Sequence, residues 1–158
     1  MHFEGSQKLD HDIKSVWALL NDPGVLARAT PGVKELKPIE QDKYDAVFHI
    51  KMGPINSMFT GKLHVEEKQL LNSYKLVVDV NARIGIIKAE VTISLVPDEK
   101  GTMVSFIGDG ALSGKLAAMG QRVLSGVARM FTKRFFKQLA KETPSEAALV
   151  DLDVHSGG

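Results

Sequence analysis

The stretch YDAVFHIKMGPINSMFTGKLHVE, residues Tyr44 to Glu66, reads with a period of two on both sides of a turn. Tyr44, Ala46, Phe48, Ile50 and Met52 alternate with Asp45, Val47, His49 and Lys51. Beyond the turn at 52–55, Phe59, Gly61, Leu63 and Val65 alternate with Thr60, Lys62, His64 and Glu66. Successive side chains of a strand point to opposite faces, so each segment predicts one apolar and one polar face. The same period continues through Leu76, Val78, Val80 and Ala82, then Ile87, Ala89, Val91, Ile93 and Leu95, then Val104, Phe106, Gly108, Gly110 and Leu112. Short turns such as Pro97-Asp98-Glu99-Lys100-Gly101 separate the runs, which predicts an antiparallel meander with one dry face. Val33–Ile39 is a weaker strand of the same series.

On either side of this block the pattern changes. Phe3 to Leu9 predicts a first strand, and Asp10 or Asp12 can cap a helix carrying Ile13, Val16, Trp17 and Leu20. Asp22-Pro23 opens a second short helix through Ala29, and Pro31-Gly32 ends it. At the other end, Lys115 to Lys141 predicts one long helix. It carries Leu116, Gly120, Val123, Val127, Phe131 and Phe135 on one stripe, with Lys115, Arg122, Arg129, Lys133 and Lys137 opposite. After Glu142 the segment TPSEAALVDLDVHSGG is expected to fray. The expected class is α+β, with a curved antiparallel sheet wrapped around a long C-terminal helix and two short helices after the first strand. Residues 1–142 form the expected ligand-binding domain, and 143–158 a flexible acidic tail.

Composition narrows the function. A chain of 158 residues with 44% hydrophobic and 25% charged content supports one domain with its own core. Twenty Lys and Arg against nineteen Asp and Glu leave a net charge of +1, without the basic excess of a nucleic-acid binder. The absence of cysteine excludes disulfides, thiolate metal sites and a cysteine nucleophile. The opening MHFEGSQKLD does not resemble a signal peptide, and no apolar run is long enough to span a bilayer. A cytoplasmic protein is expected.

Centring the hairpins on their turns predicts Phe48 opposite Gly61, Gly61 opposite Ala82, Leu63 opposite Val80, Val80 beside Ala89, and Ala89 beside Gly110. The small residues Gly61, Ala82, Ala89 and Gly110 then gather on the inner face. Two accounts remain: an apolar ligand pocket, or glycines that admit the helix backbone at Gly120 and let the sheet bend. The expected pocket lining is Phe48, Phe59, Gly61, Leu63, Val80, Ala82, Ala89, Val91, Phe106, Gly110, Gly120, Val123 and Val127. No Asp, Glu, His, Lys or Arg falls on this stripe, so the expected ligand is a hydrophobic small molecule.

Catalytic chemistry has little to stand on. The histidines are scattered, without HExxH or paired metal spacing, and no metal or cofactor is expected. His49 and His64 fall on the outward face, His64 between Asp45 and Asp79 in this register. Glu90 and Asp109 face outward opposite each other, as a solvated strand pair. The glycine clusters lack the Lys and Ser of a phosphate loop. The helix from Lys115 carries cations and no acid, which suits an anionic lipid surface, an acidic protein face or a solvated exterior. Phe136 falls among those cations and Arg134 on the apolar side. The expected docking residues are therefore Arg122, Arg129, Lys133, Phe136 and Lys137.

The motifs ATPGVKEL (Ala29–Leu36), MGPINSMFTG (Met52–Gly61), GTMVSF (Gly101–Phe106) and LSGKLAAMGQRVL (Leu112–Leu124) resemble, in order and spacing, the carbon monoxide dehydrogenase G-subunit family. That family lies in the START and polyketide-cyclase superfamily of helix-grip folds, and the resemblance runs from Phe3 to about Leu139. It implies a non-catalytic accessory of a molybdenum hydroxylase such as carbon monoxide dehydrogenase, carrying a lipid or quinone-like molecule and linking the enzyme to the membrane. Longer relatives continue past the helix, so for this chain reversible contact at the inner membrane face through the basic helix is expected. The alternative implied by the superfamily is a polyketide cyclase or aromatase acting in the same cavity.

Overall fold

The computed structural model describes residues 1–156. Strand β1 (His2–Leu9) leads into helix α1 (Ile13–Leu20), capped by Asp12, whose carboxylate accepts from the Ser15 amide at 3.1 Å. Asp22 caps α2 (Pro23–Ala29) in the same way, accepting from Gly24 at 2.9 Å, with Pro23 in the first turn. The strands β2 (Val33–Glu40), β3 (Lys43–Met52), β4 (Ile55–Gln69), β5 (Ser73–Ala82), β6 (Gly85–Asp98) and β7 (Gly101–Leu112) follow as a meander. The seven strands form one antiparallel sheet in the order β1-β7-β6-β5-β4-β3-β2. The two capped helices thus carry the chain from one edge of the sheet to the other.

The register differs from expectation in an instructive way. Phe48 pairs with Phe59, Gly61 with Val80, Leu63 with Val78, and Val80 with Ile87. Each expected pairing in these three hairpins is displaced by two residues, whereas Ala89 does pair with Gly110. The reason is local. Met52 pairs directly with Ile55 and Ala82 with Gly85, so these turns are tighter than assumed. Glu67, at φ 54°, breaks the β4–β5 ladder between Glu66 and Gln69. A slip of two keeps every side chain on its face, and only a slip of one would have inverted the sheet.

After β7 the long helix is interrupted. A short helix α3 (Gly114–Ala118) ends at Met119, and Gly120 turns the chain at φ 88° before α4 (Gln121–Leu139) begins. The left-handed conformation at Gly120 stops a continuous helix from Lys115 to Lys141, because only glycine adopts it without strain. The expected tail also folds in part. Helix α5 (Glu146–Ser156) packs beside α1, puts Leu152 into the core at 8% exposure and pairs Asp153 with Lys14. Gly157 and Gly158, the end of the expected tail, lie outside the described residues.

Two apolar clusters occupy the concave side. The first joins Trp17, Leu19, Val25, Tyr74, Leu95, Val104, Phe136, Leu139 and Leu152 beneath α1, α2 and α5. The second joins Ile50, Met52, Ile55, Phe59, Val80, Leu116 and Leu124 around the hairpin tips and α3.

Candidate ligand site beneath the long helix

Helix α4 makes its closest backbone approaches to α2 and to the flanking strands β1 and β3. It therefore lies across the curved sheet from one flank to the other. The inner-face side chains of the central strands, Leu76, Val78, Ala89, Val91 and Ile93, are only partly buried although they face the helix.

The expected lining residues fall into four groups. Phe48, Phe59, Leu63, Val80, Ala82 and Val127 meet in the second cluster, with Phe48 stacked on Phe59 at 5.9 Å between centroids. Ala89, Val91 and Gly110 lie between the two clusters on the same face, the Cβ of Ala89 standing 3.4 Å from where a Cβ on Gly110 would sit. Phe106 belongs to the other end, stacked on Phe136 at 6.0 Å. The remaining positions need correction. A Cβ on Gly61 would meet the Asp79 carbonyl oxygen at 2.1 Å, so this glycine serves the close approach of β4 to β5 and leaves no hollow. Gly120 is exposed at the helix break, and Val123 is 40% exposed.

The break at Gly120 separates α3 from α4. Val127, Phe131 and Phe135 of the expected stripe stay inward on α4, and Leu124, Phe136 and Leu139 join them, so the inward side is broader than the expected stripe. Phe136 is 7% exposed and packed edge-on against Phe135, so it is not a docking tip. Arg134 moves out to the solvent side. Arg122, Arg129, Lys133 and Lys137 are exposed as expected, and among the described residues none of them forms an ion pair. The exposed apolar side chains beside them are Val123 and Met130, at 40% and 39%.

The outer face is polar. Lys62, rather than His64, lies between Asp45 and Asp79, and bonds Asp45 at 2.9 Å. His64 bonds Glu66 at 3.1 Å and His49 bonds Asn56 at 2.6 Å. Glu90 and Asp109 pair across β6 and β7 as expected. His2 lies between Asp109 and Glu4, and these hydrogen bonds raise its pKa above the ordinary histidine value. No group of His, Asp and Glu among the described residues could hold a metal ion. Two open hollows, of about 460 and 450 Å³, border the strands, the first at Ser6, Thr92, Ser105 and Ile107, the second at Val77, Asp79, Lys88, Glu90 and Ala111. The second also touches Val78, Ala89 and Gly110, and neither is enclosed.

The inner face carries some polar groups. Tyr44, at the head of the expected inward row of β3, is joined there by Ser57, Tyr74 and Thr102. Thr102 is fully buried and donates to the His11 carbonyl at 2.9 Å. Burial raises the pKa of both tyrosines, Tyr74 far above the ordinary phenol value. Tyr44 is raised further by the charges of Asp42 and Asp22.

No helix among the described residues is long and apolar enough to cross a membrane. No curated protein matches the chain. Among solved structures, a conserved protein from Geobacillus kaustophilus is 32% identical, with a TM-score of 0.86 over 89% of this chain and 93% of that one. A START superfamily protein from Mycobacterium smegmatis is 10% identical, with a TM-score of 0.69 over 89% and 94%. A protein from Thermus thermophilus is 12% identical, with a TM-score of 0.66 over 96% and 98%. The last two share the fold alone, which is the START-like helix grip. The family model of the carbon monoxide dehydrogenase G-subunit (CoxG) matches residues 5–143, and the chain belongs to that family.

Proposed function

We propose that this protein holds a hydrophobic, lipid- or quinone-like small molecule between the concave sheet and α4. In this reading it serves as a non-catalytic accessory of a molybdenum hydroxylase such as carbon monoxide dehydrogenase. The observation that carries the reading is the partial exposure of the inner-face apolar side chains Val78, Ala89, Val91 and Phe48 beneath a helix that approaches the flanks of the sheet. Apolar surface left facing a gap loses its dispersion partners, and an apolar guest restores them. Membership in a family described as a subunit of carbon monoxide dehydrogenase supports the accessory role.

The same reading gives the outer side of α4 a task. Arg122, Arg129, Lys133 and Lys137 present unpaired charge beside exposed Val123 and Met130, which fits brief contact with an anionic membrane at the cytoplasmic side. Each basic residue near such a surface contributes about 1 kcal/mol, so binding is reversible and falls with salt.

The test is native mass spectrometry of protein purified from its own host, with organic extraction of bound material. An apolar molecule in stoichiometric amount is expected. Stripped protein should rebind such molecules, and Ala89→Phe or Gly110→Leu should weaken rebinding more than folding. If both variants unfold while wild type carries nothing, the space is core and the carrier reading fails. For the membrane contact, wild type should sediment with anionic vesicles at low salt, and Arg129→Glu/Lys133→Glu/Lys137→Glu should not. Indifference of the wild type to anionic vesicles sinks direct docking and leaves the basic face to a protein partner.

A further inference from the structure

The two edges of the sheet are finished differently. On β2 the edge is blunted by Pro38, which has no N–H, and by register shifts against β3 between Val33 and Glu35 and between Pro38 and Glu40. Strand β1 has neither device and pairs with β7 without a break from His2 to Leu9. The direction of its hydrogen bonds follows from one pair. Gly110 donates at 2.8 Å to the carbonyl of Met1, which stands opposite it in the same register. Bonded and non-bonded pairs alternate along an antiparallel ladder. Phe3, Gly5, Gln7 and Leu9 therefore bond β7, and the amides and carbonyls of Glu4, Ser6 and Lys8 point away from the sheet. Helix α4 fastens this edge at His2, whose carbonyl accepts from Gln121 at 3.2 Å. Beyond that point Glu4, Ser6, Gln7 and Lys8 are all exposed. Among the described residues, the one bond to these outward backbone groups runs from the neighbouring Gln7 side chain to the Lys8 carbonyl at 3.2 Å.

We propose that this open edge is a self-association site, at which β1 of a second copy adds antiparallel about a two-fold axis at Ser6 and joins the two sheets. Charge selects the register. A two-fold pairing through the outward groups can be centred on Glu4, Ser6 or Lys8. The first sets Glu4 against the partner's Glu4 and the last sets Lys8 against the partner's Lys8, and like charges directly opposite are destabilising. Centred on Ser6, Glu4 lies opposite the partner's Lys8 at both ends, and Gly5 lies opposite the partner's Gln7. Three such pairs exchange about six inter-strand hydrogen bonds. The present partners of these charges, His2 for Glu4 and Asp98 for Lys8, are solvent-screened pairs that yield readily. No long side chain stands over the joint on the outer face, because Ser73, Ser94, Ser105 and Ser6 lie side by side across β5, β6, β7 and β1. The contact is isologous and the β2 edge is blunted, so association stops at a dimer.

Sedimentation velocity of the full chain over a range of concentrations should show a monomer–dimer equilibrium. Ser6→Pro deletes the central outward N–H and leaves the β7 ladder intact, so it should weaken dimerisation by about tenfold or more with a melting temperature close to wild type. Glu4→Lys and Lys8→Glu should each weaken the dimer, and the charge swap Glu4→Lys/Lys8→Glu should restore it. The chain has no cysteine, so Ser6→Cys should give a disulfide-linked dimer under mild oxidation. Glu4→Cys should not, since in this register its counterpart lies about 13 Å away along the strand. The charge swap and the cysteine pair still decide if Ser6→Pro folds poorly. A chain that stays monomeric at every concentration, or a dimer indifferent to a folded Ser6→Pro, overturns the proposal. So does a dimer that the charge swap fails to restore, or one in which Glu4→Cys cross-links as readily as Ser6→Cys.

Discussion

The two ends of the concave face are built from the same alternation, but they are finished differently. At one end α1, α2, α5 and the last turns of α4 close over Tyr74, Leu95 and Val104, and Val16, Leu19, Val104 and Leu139 have no exposure. At the other end the first turns of α4, the short helix α3 and the hairpin tips bury Phe59, Val80, Leu116 and Leu124 but leave Phe48, Ala82, Ile84, Val127 and Met119 only partly buried. A single helix thus closes one half more completely than the other. A scaffold can hold a guest only if its stability is concentrated away from the opening, since elements that must part are drawn from its least stable regions.

The largest expected effect tests that division directly. Leu139→Ala removes a fully buried side chain at the closed end and should cost about 2–5 kcal/mol. Val127→Ala, on the same helix at the open end, should cost about 1 kcal/mol or less because the side chain is already partly solvated. Urea denaturation of the two variants decides, and equal losses would break the comparison. The sheet offers a second contrast. Gly61→Ala drives a methyl group into the β5 backbone and should cost about 1–3 kcal/mol, with a visible disturbance of the β4–β5 amides by NMR. Gly110→Ala places its methyl 3.4 Å from Ala89 and should be milder in the same measurement.

These contrasts also mark what was legible beforehand. Period-two alternation identified β3 to β7 and their inner faces, because facing is set by parity and survives the two-residue slips in the first three hairpins. Asp12, Asp22 and Pro23 announced both short helices, since a cap is a local hydrogen bond between near neighbours. The helix break was not legible, because a continuous apolar stripe hides a turn that only the φ of Gly120 reveals. The width of the buried side of α4 was not legible either: Phe136 is buried and Val123 exposed because two clusters, one at each end, cover different parts of the helix.

A smaller effect concerns how the closed end is fastened. Arg28 of α2 bonds Glu142 just after α4 at 2.8 Å through Nε and 2.7 Å through a terminal nitrogen, and Gln138 adds 2.8 Å. The Arg28 hydrogen bond, followed by that from Gln138, lowers the Glu142 pKa below the ordinary glutamate value. A depressed carboxyl stabilises the fold above its unfolded pKa, and that contribution is lost as pH falls through the folded value. The melting temperature should therefore fall as pH drops below the ordinary glutamate range. Glu142→Gln should flatten that slope while leaving the open end's ligand affinity unchanged. A slope identical in wild type and variant would remove the clasp from the account.

The smallest expected effect lies on the roof itself. Gly126 sits in the interior of α4, on the line of Arg122, Arg129 and Lys133, and a Cβ added there would meet nothing within 4 Å. Its φ is not left-handed, so alanine fits the backbone, and glycine in a helix interior costs about 0.5–1 kcal/mol relative to alanine. Gly126→Ala should therefore stabilise the isolated protein by about that amount, read as a small rise in the denaturation midpoint. Gly126 faces away from the inward stripe of Leu124, Phe131 and Leu139, so affinity for an apolar guest should not change. If α4 meets lipid, one methyl group among the basic side chains should also leave vesicle sedimentation intact, because headgroups rearrange around it. A close-packed protein face would not, and a methyl group wedged into a tight helix contact weakens association. A stabilised variant that still sediments with anionic vesicles but loses a purified hydroxylase partner would assign this face to the enzyme rather than to the membrane.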